Sequence, residues 1–417
     1  MKYKKILMVC AMVVFCMIFQ THSAHAQEIT ENVETLTEES MQELPPPAKV
    51  TGLHTTCESD KKVLLEWKDS AGAAYYIVYR KKGTDDYRKL GTTEKAAYMD
   101  SSAAYGKTYE YMIVPYNQED GEGESATIRL ERTQAVNITT QKYTYRQMKT
   151  DMSELAKQYS DYCELTKIGT SVAGRAICDF AIGNPDAQQS LLVVSTLHAR
   201  EYICSAMLMQ EIEYYLRNYN RSLDGSIPAR VLKNTQIHYI VMANPDGVTI
   251  SQTKQTRWKA NGRGVDLNRN FPATEFVVDG KPGAEGYSGR KPLSEPEAKA
   301  ISDLTKELKE NQQLSGVVNY HAMGQIVFGG CSDPKIKKGT QTMYRIARKL
   351  TGYRDAGGYS TGEKSSGGSY RDYVMDLLEI PSITIEVGGT AAPCSYREYA
   401  SVFQKNRLVM LKIADAL

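Results

Sequence analysis

The chain has no large excess of charge of either sign. Its 51 Lys and Arg nearly balance 49 Asp and Glu, a formal net charge of +2, so it carries no basic field to hold nucleic acid or an anionic membrane. Long apolar runs are also missing. Ile6–Phe19 is apolar but shorter than the roughly 20 residues a membrane-spanning helix needs. Lys2, Lys4 and Lys5 precede it and Ala24-His25-Ala26 follows it, which reads as a secretory signal over residues 1–26 and an exported chain. Tryptophan and phenylalanine are sparse, at 2 and 7, against 28 Tyr. Histidine is sparser still beyond the signal: His54, His198, His238 and His321. Cys57, Cys163, Cys178, Cys204, Cys331 and Cys394 have no metal-knuckle spacing. In an exported chain that leaves disulfides and buried thiols both open.

A length of 417 residues allows two or three domains. Residues 27–47 are acidic and polar and end in Pro45-Pro46-Pro47, the composition of a flexible linker. Residues 48–133 hold β-rich segments separated by turn residues, among them Val63–Trp67, Tyr75–Arg80 and Thr108–Val114. From about residue 141 helical and strand patterns alternate. Leu191–Leu197, Gln236–Met242, Leu314–Tyr320 and Ser382–Val387 read as buried strands; Tyr145–Tyr159, Met207–Tyr219 and Glu295–Lys309 read as helices. The expected fold class is α/β: a mixed, mostly parallel sheet flanked by helices, preceded by an all-β immunoglobulin-like sandwich.

The chemistry concentrates at strand ends, where sites form in such sheets. The apolar run Leu191–Val194 leads to His198 and, three residues on, Glu201; the run Gly316–Tyr320 leads to His321. Two imidazoles and a carboxylate are a catalytic zinc set, with a fourth position left for water. Glu386 is a lone carboxylate in the apolar strand Ile383–Val387; such a group needs a reason, and activating a water beside zinc is one. His238 lies inside a strand among apolar neighbours and reads as structural.

These residues resemble the zinc carboxypeptidases of the carboxypeptidase A type. The resemblance rests on His198-Ala199-Arg200-Glu201, Asn244-Pro245-Asp246-Gly247, Gly264–Phe271, His321 and Thr384-Ile385-Glu386-Val387, in family order. The opening Tyr143-Thr144-Tyr145 and the element from Ile168 to Arg175 also match, so it covers 141–417. It implies one zinc ion held by His198, Glu201 and His321. It implies Glu386 as general base, and Asp266 as the carboxylate that orients the first histidine. Asn268 and Arg269 would grip the substrate's terminal carboxylate, for which a planar guanidinium suits, and Arg200 would add positive charge along the cleft. The segment 48–133 resembles a fibronectin type III domain. That implies a spacer by default, or contact with wall or host glycans.

Two departures from the family pattern stand out. Lys259, in Arg257-Trp258-Lys259-Ala260-Asn261, replaces the arginine that polarises the scissile carbonyl in animal-type enzymes. It keeps the charge without the bidentate fork, as in bacterial relatives. The substrate-capping tyrosine has no clear counterpart: Glu363 aligns with it, and Tyr359 or Tyr370 are the replacements at hand. In the specificity segment Ser369–Tyr373, Arg371 and Asp372 would together suit a zwitterionic side chain such as diaminopimelate; the other reading is a helix start facing solvent. The expected activity is hydrolysis of peptides near a C-terminal carboxylate, on cell-wall muropeptides of the γ-D-glutamyl–diaminopimelate type. The alternatives are a general carboxypeptidase acting on external proteins and, in a different class, a non-catalytic surface-binding protein. Disulfide pairing and oligomeric state are not legible in the sequence.

Overall fold

A computed structural model describes residues 44–57, 62–104, 107–119, 121–132, 136, 138, 142–356, 368–389 and 391–417. The expected signal, most of the linker, Tyr359 and Glu363 lie outside the described residues. The chain divides into two compact units, meeting in sequence near Arg132. No helix among the described residues is long and apolar enough to cross a membrane.

In the first unit, β1 (Thr51–Cys57), β2 (Val63–Lys68) and β5 (Ala97–Asp100) form one antiparallel sheet. A second antiparallel sheet has the order β4 (Arg88–Thr93), β3 (Tyr75–Lys82), β6 (Lys107–Tyr116) and β7 (Ala126–Arg132). Alternation does the sorting. Val63, Leu65 and Trp67 turn inward from β2 and meet Tyr76, Val78, Tyr111 and Ile113 in one core. Each such side chain contributes roughly 1.5–3 kcal/mol when fully buried. Leu44–Pro47, expected as flexible linker, are tied down: the Asn117 amide donates to the carbonyls of Leu44 at 3.0 Å and Pro45 at 3.2 Å.

The second unit is built on an eight-stranded mixed sheet. Its order is β14 (Arg354–Asp355), β13 (Ile326–Phe328), β15 (Ser382–Val387), β12 (Leu314–Ala322), β10 (Gln189–Ser195), β11 (Thr235–Ile240), β9 (Ala176–Ile182) and β8 (Cys163–Thr170). The centre, β15-β12-β10-β11, is parallel; β9 joins β11, and β13 joins β15, in antiparallel pairing. Both faces of β10 are buried, as a central parallel strand requires. Leu191 and Val193 face one core with the helix Ile203–Arg217. Leu192 and Val194 face another with Ala298, Ile301, Leu304 and Leu308, which line one side of the helix Pro296–Asn311.

β8 and β9 form a hairpin in which Cys163 pairs with Ile182 and Cys178 with Lys167. That register sets the two cysteines four positions apart, and both thiols are free. The expected helix over Met207–Tyr219 begins four residues earlier, at Ile203.

Candidate metal centre and substrate cleft

The end of β10 is bent sharply. Thr196 has φ 60°, a left-handed conformation costly for a β-branched residue, on the order of 1–3 kcal/mol. Neighbours hold it there: the Thr196 hydroxyl lies 2.8 Å from that of Ser205, and the Asn244 amide donates to the Leu197 carbonyl at 3.0 Å. The turn aims His198 and Glu201 beyond the sheet edge. Asn244 also caps the next helix by accepting from Gly247 N at 2.9 Å, where a Cβ on Gly247 would meet the Ala260 carbonyl oxygen at 2.3 Å. Asp246 binds the β8–β9 turn through the Ser171 hydroxyl at 2.8 Å and Ala173 N at 2.7 Å. The Asn-Pro-Asp-Gly segment is therefore scaffold.

His321 arrives from β12, in register with Glu386 on β15. His198 Nδ1 and His321 Nδ1 are 3.1 Å apart, and each is 2.9 Å from an oxygen of Glu201. All three residues are buried. Two imidazole nitrogens and a carboxylate converging on one point is an arrangement that a divalent cation satisfies. Among the described residues these three are the group that could hold a metal ion, and two imidazole nitrogens with a carboxylate suit zinc.

The remaining predicted residues are set around this point. An oxygen of Asp266 lies 3.2 Å from His198 Nε2, on the ring edge opposite Glu201, and its other oxygen is 3.1 Å from Lys259 Nζ. Asp266 also caps the turn Leu267–Arg269 by accepting from Asn268 N at 3.0 Å, which brings Asn268 and Arg269 to the cleft wall. Buried Asn261 shapes the preceding loop, accepting from Arg263 N at 3.0 Å and Val265 N at 3.1 Å. Arg200 lines the cleft too and pairs with Glu285 at 2.9 Å. The cleft encloses about 490 Å³, with Glu386, Lys259, Arg371 and Asp372 among its walls.

Charge follows from burial and proximity. For Glu201, burial works against ionisation, but the two imidazoles prevail and hold its carboxyl far below the usual range. Asp266 is likewise low: His198, then Lys259 and Arg269, outweigh burial. Burial opposes charge on His198 as well, yet Glu201 and Asp266 lift it to about 9. His321 goes the other way, lowered chiefly by burial although Glu201 pulls upward. Burial first and Glu201 second push Glu386 up to about 8, against His198 and Lys259.

Tyr370 is a correction. It does not line the cleft: its side chain is fully buried, its hydroxyl lies 2.7 Å from that of Thr305, and its ring packs 4.7 Å from that of Phe271. Ser369 starts a helical turn by accepting from Asp372 N at 3.1 Å. Successive side chains then point about 100° apart, so Tyr370 enters the core while Arg371 and Asp372 reach the cleft. Asn319 and Thr384 are among the wall residues with no assigned role in the sequence. Asn319, two residues before His321, and Thr384, two before Glu386, share their neighbours' strand face and line the same cleft.

The zinc carboxypeptidase family model matches residues 148–406. The chain belongs to this family. It is a zinc metallopeptidase of the carboxypeptidase class, with its candidate metal site at His198, Glu201 and His321. It is 26% identical over 291 residues to gamma-D-glutamyl-L-diamino acid endopeptidase 1 of Lysinibacillus sphaericus, covering 64% of this chain and 70% of that protein. It is 27% identical over 258 residues to carboxypeptidase O of Bos taurus, covering 57% and 67%. The fold is similar to that of carboxypeptidase A from Helicoverpa armigera, with a TM-score of 0.55 at 16% identity, over 83% of this chain and 99% of that one.

Proposed function

We propose that this zinc carboxypeptidase is exported and hydrolyses cell-wall peptides at a bond of the γ-D-glutamyl–diamino acid type, close to a free carboxylate. The observation that carries the hydrolytic part is the meeting of His198, Glu201 and His321 beside Glu386 in one cleft. Zinc, when bound, supplies Lewis acidity that polarises the scissile carbonyl and makes water acidic near neutral pH. Glu386 takes the proton from that water and returns it to the departing amine. A cation beside Glu386 favours its ionised form and offsets the burial that raises it. Lys259 lines the cleft with its ammonium 3.1 Å from Asp266, and there it would polarise the scissile carbonyl. Arg269 and Asn268 grip the terminal carboxylate. Asn268 is steadied by accepting from Tyr370 N at 3.0 Å, and Arg269 by donating to the Asn268 carbonyl at 2.8 Å.

The wall substrate is supported by the name of the Lysinibacillus relative, by the charged residues Arg371 and Asp372 in the cleft, and by the signal-like residues 1–26. The three-plus-four strand arrangement of the first unit supports a fibronectin type III-like module that spaces the enzyme from the wall. A second reading, a general carboxypeptidase, is favoured by similarity to carboxypeptidase O. The deciding experiment is mass spectrometry of a γ-D-glutamyl–diaminopimelyl muropeptide and of a mixed L-peptide library, with zinc analysis and Glu386→Gln as control. Cleavage of the muropeptide, lost in the control, supports the wall reading. Trimming of L-peptides with the muropeptide intact replaces it with the second.

A further inference from the structure

The cleft floor holds polar atoms that the hydrolytic mechanism does not use. Asn319 is 1% exposed and lines the cleft, yet among the described residues neither its Oδ1 nor its Nδ2 has a hydrogen-bond partner. A buried amide with both ends empty is rare and calls for a ligand or water. Arg371, 9% exposed, lines the same cleft. One terminal nitrogen donates to the Gly330 carbonyl, the other is 3.6 Å from an oxygen of Asp372, and Nε has no partner. The Asp372 side chain is 30% exposed, so its carboxylate remains open to an incoming cation. Thr384 pairs with Asn319 in register and adds a hydroxyl to the same floor.

An apolar side chain entering here would seal these groups away from water unpaired, which is strongly unfavourable. A side chain ending only in an ammonium group would serve Asp372 and leave the donors of Asn319 and Arg371 empty. A side chain ending in an ammonium and a carboxylate together gives each of the three residues a partner, the carboxylate accepting from Asn319 Nδ2 and Arg371 and the ammonium donating to Asp372.

We propose that Asn319, Arg371 and Asp372 form a specificity site for a substrate side chain that ends in both a carboxylate and an ammonium group. Asn319 Nδ2 and the Arg371 guanidinium donate to the carboxylate, and Asp372 accepts from the ammonium. This rests on the proposed reading of the cleft as the seat of hydrolysis. It adds that the enzyme distinguishes diaminopimelate from lysine by a distal carboxylate, whatever lies on the acyl side of the bond.

The test uses the zinc-loaded protein and six peptides: a γ-D-glutamyl or an L-alanyl acyl side, each followed by diaminopimelate, lysine or leucine. On whichever acyl side is cleaved, kcat/KM for diaminopimelate exceeds that for lysine and leucine by about 100-fold or more, toward the roughly 10⁴-fold by which sites built to hydrogen-bond a group reject analogues that lack it. Asn319→Leu compresses that ratio, mainly by raising KM for diaminopimelate. Asn319→Asp, which keeps the shape, repels the carboxylate and shifts preference toward lysine. It also keeps the test decisive should the leucine variant misfold, with zinc content and melting temperature as checks on folding. Equal or better cleavage of the lysine or leucine peptides by the parent protein overturns the inference, as does an unchanged ratio in Asn319→Asp. Cleavage of L-alanyl peptides alone, with the ranking kept, overturns the wall assignment and leaves the inference standing. Cleavage of γ-D-glutamyl peptides alone without the ranking does the reverse. Hydrolysis of none of the six overturns both.

Discussion

Two buried histidine–carboxylate clusters sit on the same sheet, and they differ in whether their ring nitrogens converge on a common point. In β11, His238 Nδ1 lies 2.6 Å from Asp179 and Nε2 lies 3.1 Å from the Gln312 side-chain oxygen. Both ring nitrogens have a protein partner, and the cluster is closed. At the ends of β10 and β12, His198 and His321 instead turn Nδ1 toward Nδ1 at 3.1 Å and share one carboxylate. Proximity of histidine to acid is common to both. What separates a structural pair from a metal site is whether lone pairs are left pointing at a common centre.

The largest expected effect falls on the open cluster's neighbour. Glu386→Gln lowers kcat/KM about 10²–10⁴-fold while zinc content is unchanged, read by steady-state kinetics beside metal analysis. A parallel loss of zinc would make Glu386 part of the metal site rather than the base. Next is the ring support. Asp266→Asn weakens zinc binding about 10–100-fold, measured by chelator competition, and His238→Gln leaves it untouched. A comparable loss of zinc in His238→Gln would erase the distinction between the clusters.

Proton release sharpens the contrast further. With His198 at about 9 in the metal-free protein, this ring is protonated at pH 7. Zinc held there would take that nitrogen's lone pair and displace its proton, and a cation beside Glu386, raised to about 8, would favour loss of that carboxyl proton too, so binding would release about one to two protons per chain. Zinc affinity therefore climbs with pH and levels off above about 9. Calorimetry in two buffers of different ionisation enthalpy gives the proton count; release of none would contradict the charge distribution.

The smallest effect is on stability. Burial opposes charge on His238, but Asp179 and Gln312 outweigh it and raise its pKa. The charged pair's contribution is then complete below the unfolded value of about 6.5 and is lost as pH rises through the higher folded value. His238→Gln costs roughly 1–3 kcal/mol near pH 5.5 and less at pH 8.5, measured by urea melts at both. A cost that grows with pH would reverse the assignment.

Much of the candidate site was legible because its residues interrupt apolar runs. His198, His321 and Glu386 each stand at or near a buried strand's end, where a polar group is conspicuous. The start of the helix Ile203–Arg217 was not, since Ile203 through Met209 are all buried and a helix apolar all round shows no period to mark its first turn. Tyr370 and Arg371 are adjacent in sequence, yet one enters the core and the other the cleft. The Ser369 cap decides that rotation, and no hydrophobicity pattern reports it. Asn319 read as one more strand residue; its face became meaningful only through its register with Thr384.

The amino-acid sequence alone determined the donor set, the alternation of strands and helices, and the balance of charge, because each is a local property of side-chain type and spacing. Tertiary structure decided which donors meet. His198 and His321 are 123 positions apart and converge because β10 and β12 run parallel and adjacent with their carboxyl ends together. That strand order is set by how both faces of the sheet are covered, which no single stretch of the chain encodes.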